Sequence, residues 1–211
     1  MSEFKSALKE STGYLFFRNP VLVLGLVIGQ LAAGVANLQN AAALSVTYFF
    51  VVVPTLVFAS LVGKKLPGWL KFVVYAVISA AMLVPSYFIS STFSATIFDS
   101  AGIYPALLAV STVPVVYSSK IAENQKPLSA FVGGICIALG FAFTAIFLGA
   151  AREFLSGGSI WGFRFMEPLF PAAKLPIWGF IFLGFMSAFV NFVKDLVKKP
   201  EDSPAGEEEA K

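Results

Sequence analysis

Between Arg18 and Lys64 the chain runs 45 residues without an Asp, Glu, Lys or Arg. Four further uncharged runs follow: Phe72–Phe98 (27 residues), Ser100–Ser119 (20), Pro127–Ala151 (25) and Leu175–Val193 (19). An apolar helix needs about 20 residues to cross the hydrocarbon core of a bilayer. Backbone in lipid must also satisfy its own hydrogen bonds, which makes such runs helices. The first run is long enough for two spans, and its only polar knot, Ala36-Asn37-Leu38-Gln39-Asn40, divides it. Six spans result, at about Pro20–Val35, Ala42–Val62, Leu70–Phe88, Ala101–Tyr117, Leu128–Ala151 and Pro176–Val193. The predicted fold class is all-α, a polytopic membrane protein with a six-helix membrane domain over residues 20–197. Residues 1–19 read as a cytoplasmic segment with a short surface helix, and 198–211 as a disordered acidic tail.

The six spans differ in kind. Pro105 and Pro114 interrupt the fourth, and Gly25, Gly29 and Gly34 thin the first. Each of these two opens on a proline, at Asn19-Pro20 and Tyr104-Pro105, and each begins a group of three. Three is odd, so the second triplet must run upside down relative to the first. Broken helices in matching places of two inverted halves are how many transporters build a site near the midplane. An inverted 3+3 repeat is therefore expected, with Gln30, Ser111 and Thr112 as its candidate midplane polar lining. Small residues at four-residue spacing, Gly25, Gly29 and Ala33 in the first span and Gly134, Ala138 and Ala142 in the fifth, predict close helix packing.

Composition sharpens this picture by what it lacks. With 57% apolar and 13% charged side chains, 211 residues leave no room for a soluble domain, and no nucleic-acid partner is expected. No cleavable signal peptide is visible, because the first apolar run continues as a full span. The absence of His excludes an imidazole metal site or a His-based triad, and the single Cys136 excludes a disulfide within the chain. Cys136 sits mid-span and reads as a small buried hydrophobe. With the N-terminus inside, twelve of the 15 Lys and Arg residues fall on the cytoplasmic side. Only Arg152, Arg164 and Lys174 fall outside, a strong positive-inside signal that puts both termini in the cytoplasm. No charge lies at mid-span, which argues against a proton relay within this chain.

The segment Leu148-Gly149-Ala150-Ala151-Arg152-Glu153-Phe154-Leu155-Ser156-Gly157-Gly158-Ser159-Ile160-Trp161-Gly162 carries a resemblance. It is similar to the LGxxREIxGxGTLFG segment of the Rnf/Nqr membrane-subunit family, with Gly149, Arg152, Glu153, Gly158 and Gly162 as the matching positions. Asn19-Pro20-Val21-Leu22, Ser100-Ala101-Gly102-Ile103-Tyr104 and Pro127-Leu128-Ser129-Ala130 resemble that family's entries to the first, fourth and fifth helices, in the same order. The resemblance covers about residues 13–195 and implies two inverted triplets. It also implies a bacterial or archaeal cytoplasmic membrane, other redox-complex subunits, and a homologous six-helix partner of opposite orientation. An inside N-terminus favours the RnfE/NqrD side of the pair. The implied activity is electron transfer coupled to movement of Na⁺ or H⁺.

The family also carries one Cys in the first helix, in a GxC context, and one in the fourth. With two from the partner these hold a 2Fe–2S cluster. Aligned on Asn19-Pro20 and on Gly102-Ile103, those positions are Gly29 and Thr112, and neither supplies a thiolate to iron. The expectation is therefore a subunit that binds no cofactor alone, a structural or ion-path component, with a dry, closely packed helix crossing where the cluster would sit; a small polar cavity lined by Ser111 and Thr112 is the alternative there and would favour transport. A stand-alone small transporter or channel and a non-conducting assembly factor are the alternatives.

Overall fold

The computed structural model describes residue 19 and residues 21–89, 101–120 and 125–197. The surface helix expected before Arg18, the whole Ser90–Ser100 loop and the acidic tail lie outside the described residues. The helices are α1 (Ile28–Gly34), α2 (Leu38–Val62), α3 (Gly68–Ala81), α4 (Tyr104–Ala109), α5 (Thr112–Lys120), α6 (Pro127–Gly157) and α7 (Pro176–Val197), and helix resumes after α3 over residues 83–89. A small hairpin of β1 (Ser159–Ile160) and β2 (Phe163–Arg164) follows α6. Among the described residues, four stretches are long and apolar enough to cross a membrane: Leu38–Lys65, Gly68–Ile89, Pro127–Gly157 and Pro176–Leu196.

The first and fourth predicted spans are not continuous helices. In the first, turns occupy residues 21–24 and 26–27, and helix begins only at Ile28. Gly25 (φ 68°) and Val27 (φ 57°) both take the left-handed conformation there, which is uncommon for a β-branched residue. In the fourth, α4 ends at Ala109 and α5 restarts at Thr112. Pro114 accounts for that break, since it has no N–H for the carbonyl of Val110 and its ring crowds that position.

The core is the antiparallel pair of α2 and α6, packed along most of their length. Gly134 lies against Val53, whose Cα is 3.2 Å from where a glycine Cβ would stand. Tyr48 stacks on Phe141 with ring centroids 4.0 Å apart, a contact worth about 0.5–1.5 kcal/mol beyond its area. At the far end, a Cβ on Gly149 would sit 2.8 Å from both the Ala41 methyl and the Asn37 carbonyl oxygen. Such backbone proximity is how helices associate when lipid removes the hydrophobic drive between them. Ala138 is buried on this pair and Ala142 half-buried.

The remaining elements pack around the pair. α1 lies on α7, with Gly179 against the backbone of Ala32, and α5 lies on α3. α4 and α5 also rest on α2. The outer faces of the stretches Gly68–Ile89 and Pro176–Leu196 present Phe72, Phe88, Phe185, Phe189 and Phe192, each more than half exposed. Apolar exposure on that scale suits lipid, not water.

Depth along α6 corrects the expected start of the first span. Asn19 hydrogen-bonds the carbonyl of Gly140 at 3.0 Å. At 1.5 Å per residue, Gly140 is about 20 Å into a helix about 46 Å long. The stretch from Asn19 to Val35 therefore runs beside only the second half of α6, and Asn19 sits near its middle rather than at a membrane surface.

Candidate functional site

Two features meet where the sequence placed its site residues: a polar clamp at one end of the bundle, and a cavity between the two interrupted helices.

The clamp is Arg152-Glu153, adjacent residues on α6 and so about 100° apart around its axis. Arg152 is fully buried. Its Nε donates to the Ala173 carbonyl at 3.0 Å, and Nη1 donates to the carbonyls of Ala32 (2.7 Å) and Val35. Nη2 donates to those of Lys174 (2.6 Å) and Leu175 (3.2 Å). The guanidinium thus closes the C-terminal end of α1, where carbonyls lack helical partners and the dipole favours a cation. It also pins the turn at Pro171–Lys174 that leads into α7. Glu153 turns the other way. Its Oε2 accepts from the Leu38 N–H at 2.9 Å, at the start of α2, while Asn37 caps the same helix through the Asn40 N–H at 2.7 Å. Two neighbouring side chains therefore hold both ends of the bend at residues 35–37.

The glycines of the motif make this geometry reachable. Gly149 lets α6 approach that bend. Gly158 (φ 60°) ends α6, and a Cβ there would stand 2.2 Å from the Met166 carbonyl oxygen. Trp161 (φ 57°) and Gly162 (φ 83°) form the two-residue turn of the hairpin, which needs positive φ at both positions. The Gly162 N–H donates to Glu153 Oε1 at 2.7 Å, and Ser159 Oγ donates to the same atom at 3.3 Å.

The cavity, of about 470 Å³, is lined by Gly25 to Gln30 from the first interrupted helix and by Leu107 and Val110 to Thr112 from the fourth. Gly29, Gln30, Ser111 and Thr112, drawn together from the sequence, do share one surface. Ser111 is buried and its Oγ has no hydrogen-bond partner, while Thr112 is exposed. Two expectations fail here. In place of a dry, closed crossing at Gly29 and Thr112 there is this pocket, although α1 and α4 meet beyond it, where a Cβ on Gly34 would stand 2.8 Å from the Tyr104 ring. Among the described residues, Gly25 and Gly29 of the Gly25–Gly29–Ala33 stripe do not pack on a neighbouring helix, while Ala33 is half-buried. Gly25 and Gly29 are exposed, and a Cβ on Gly29 would meet nothing within 4 Å.

The donor set of this cavity does not fit an iron–sulfur cluster. It offers hydroxyls, one side-chain amide and backbone groups, but neither thiolate nor imidazole. Cys136 is buried in α6 and is not among the lining residues.

One structural residue escapes the sequence reading. Asn19 is fully buried; its Nδ2 reaches Gly140 and Thr144 Oγ1 (3.5 Å), and its Oδ1 accepts from the N–H groups of Val21 (2.9 Å) and Leu22 (3.3 Å). The available signal is an Asn before a Pro inside an uncharged run. Its place beside Arg18 suggests the edge of the membrane, whereas the side chain is a lock inside the bundle.

A mostly helical, polytopic membrane protein with interrupted helices and a motif-built clamp is the class these features define. A family model described as "Rnf-Nqr subunit, membrane protein" matches residues 7–187, and the chain belongs to that family. Among its relatives is the E component of an ion-translocating oxidoreductase complex from Shewanella baltica. It is 25% identical over 209 residues, covering 92% of this chain and 90% of the relative. The protein of the same description from Shewanella loihica is 28% identical over 211 residues, covering 90% and 91%.

Proposed function

We propose that this chain is a membrane subunit of an Rnf/Nqr-type ion-translocating oxidoreductase complex, acting as a structural or ion-path component without iron–sulfur ligands of its own. The observation that carries the reading is the cavity between the two interrupted helices. Both positions where the family resemblance expects a cluster cysteine line it, and they hold Gly29 and Thr112. Its mouth opens on exposed Gly25, Gly29 and Val110, a surface suited to a homologous subunit of opposite orientation.

An inverted repeat is supported by the order of elements: interrupted, long and central, then peripheral, twice over. Packing follows the same exchange, since the first interrupted helix lies on α7 and the second lies on α3. Lys64, Lys65, Lys126 and Lys194 gather at one end of the antiparallel bundle, and Arg152, Arg164 and Lys174 at the other. That asymmetry supports a cytoplasmic membrane with both termini inside.

Extraction in mild detergent, followed by iron analysis and electron paramagnetic resonance, tests the reading. The chain should bring a homologous membrane subunit with it, and the chain expressed alone should carry no stoichiometric iron. An iron–sulfur signal from the isolated chain overturns the ligand-free assignment. The unpartnered Ser111 hydroxyl beside Gln30 and Thr112 favours the second reading, a stand-alone transporter or channel. A chain that purifies alone, monodisperse and binding a small solute, would establish that one.

A further inference from the structure

A second cavity, behind the hairpin, takes no part in the function proposed above. It encloses about 330 Å³, and its polar lining is Asn37, Gln39, Glu153, Ser156, Ser159 and Lys174. Ser156 is 4% exposed, and its Oγ has no hydrogen-bond partner. A buried hydroxyl left unpaired costs about 1–3 kcal/mol, so this wall calls for a polar occupant. Glu153 is 6% exposed. Its Oε1 already accepts from Gly162 and Ser159, but Oε2 accepts only from Leu38. A carboxylate has about four acceptor sites, which leaves capacity on Oε2. Lys174, exposed, brings an ammonium to the same cavity, while its backbone carbonyl is held by Arg152.

The lining therefore offers a carboxylate, a neutral hydroxyl and an ammonium. A simple cation would face Lys174, and a simple anion would face Glu153. A zwitterion carrying its own ammonium and phosphate complements both. The cavity's position narrows the source. It lies at the end of α6, beside a hairpin region whose Trp161, Phe163 and Phe165 are 44%, 70% and 72% exposed. An exposed Trp next to the end of a membrane-spanning helix marks the level of lipid headgroups.

We propose that this cavity binds the phosphoethanolamine headgroup of a membrane phospholipid, its ammonium donating to Glu153 and Ser156 and its phosphate meeting Lys174. A choline headgroup has no N–H to donate and is bulkier at the nitrogen, so the site discriminates against it.

The test uses the full chain with its co-purifying subunits, reconstituted in nanodiscs of phosphatidylcholine with a minor fraction of phosphatidylethanolamine, and native mass spectrometry of the lipid retained. Phosphatidylethanolamine should be enriched over phosphatidylcholine by about fivefold, the weight of one net hydrogen bond. Ser156→Ala should bring that ratio close to one, whereas Lys174→Gln should lower the retention of both lipids, because the phosphate is common to them; both variants leave the Glu153 cap of α2 in place. Equal retention of the two lipids by the native chain, undiminished enrichment in Ser156→Ala, or unchanged lipid retention in Lys174→Gln overturns the proposal. Soluble O-phosphoethanolamine should fail to displace the lipid at low millimolar concentration. Displacement by it would assign the cavity to a free zwitterion and overturn the lipid assignment.

Discussion

Replacing Arg152 by Met removes the guanidinium while keeping an unbranched side chain of similar reach. Three of its five acceptors, the carbonyls of Ala32, Val35 and Ala173, belong to fully buried residues. Each buried carbonyl left without a donor costs about 1–3 kcal/mol, or about 3–9 kcal/mol for the three. Burying the guanidinium itself costs several kcal/mol, which its removal recovers. The net loss therefore falls near the lower bound, about 3 kcal/mol, a large share of the roughly 5–15 kcal/mol typical of a folded domain. At about 2–4 °C per kcal/mol for a chain of this size, the melting midpoint should fall by about 6–12 °C. Arg152→Lys should fall between, since an ammonium has three donors and cannot span acceptors on both α1 and the turn before α7.

The assay is a thermal melt of detergent-solubilised protein followed by size-exclusion chromatography. Amide hydrogen exchange over residues 28–40 and 171–178 serves as a local readout. A fall of less than about 2 °C for Arg152→Met, with unchanged exchange in both segments, would refute the clamp. Loss of folded protein in Arg152→Met alone is not decisive, so the ranking native, Lys, Met is the result to establish.

Glu153→Gln replaces a doubly accepting carboxylate by an amide with one acceptor oxygen. It should lose about 1–3 kcal/mol and speed amide exchange at Leu38 or Gly162; unchanged exchange at both would remove Glu153 from the clamp. Ala138→Leu should destabilise the isolated chain by about 1–3 kcal/mol through overpacking against α2. Gly29→Leu should leave the isolated chain's melt unchanged but reduce recovery of the partner subunit. Equal melts for the two variants would contradict the geometry. Ser159→Cys, in a Cys136→Ala background, should be labelled by a membrane-impermeant thiol reagent added from outside; reaction only from the cytoplasmic side would invert the topology.

The charge-free runs carry the long helices well, because length and apolarity are what a bilayer requires of a span. They do not reveal interruptions of the kind at Val27. A β-branched residue at positive φ is held there by tertiary contacts, and nothing local in Leu26-Val27-Ile28 signals it. Pro105 and Pro114 are different, since a missing N–H is written in the sequence itself. The Gly25–Gly29–Ala33 stripe misleads because small residues at four-residue spacing look alike whether they meet a helix of the same chain or an open surface. Arg152 and Glu153 stand out as part of a motif. Their partners across the bundle do not, because those are backbone groups of Ala32, Val35 and Leu38, more than a hundred positions away.

The two interruptions are treated unequally, and the difference bears on which of them is free to respond to a partner. Irregular backbone at membrane depth is tolerated only where protein satisfies its polar groups. In the first interrupted helix that condition is met by Asn19 on the early turns, by Arg152 at the end of α1 and by Glu153 on the turn into α2, each tied to α6 or carried by it. At the second break, Ser111 is buried with an unpartnered hydroxyl, and its neighbours Val110 and Thr112 are exposed at the cavity. The first half-site is thus locked to the central helix pair. The second keeps a buried, unpartnered hydroxyl and has no such tie to α6, so if a subunit docks at the cavity, the stability of α4 and α5 should depend on it more steeply than that of α1.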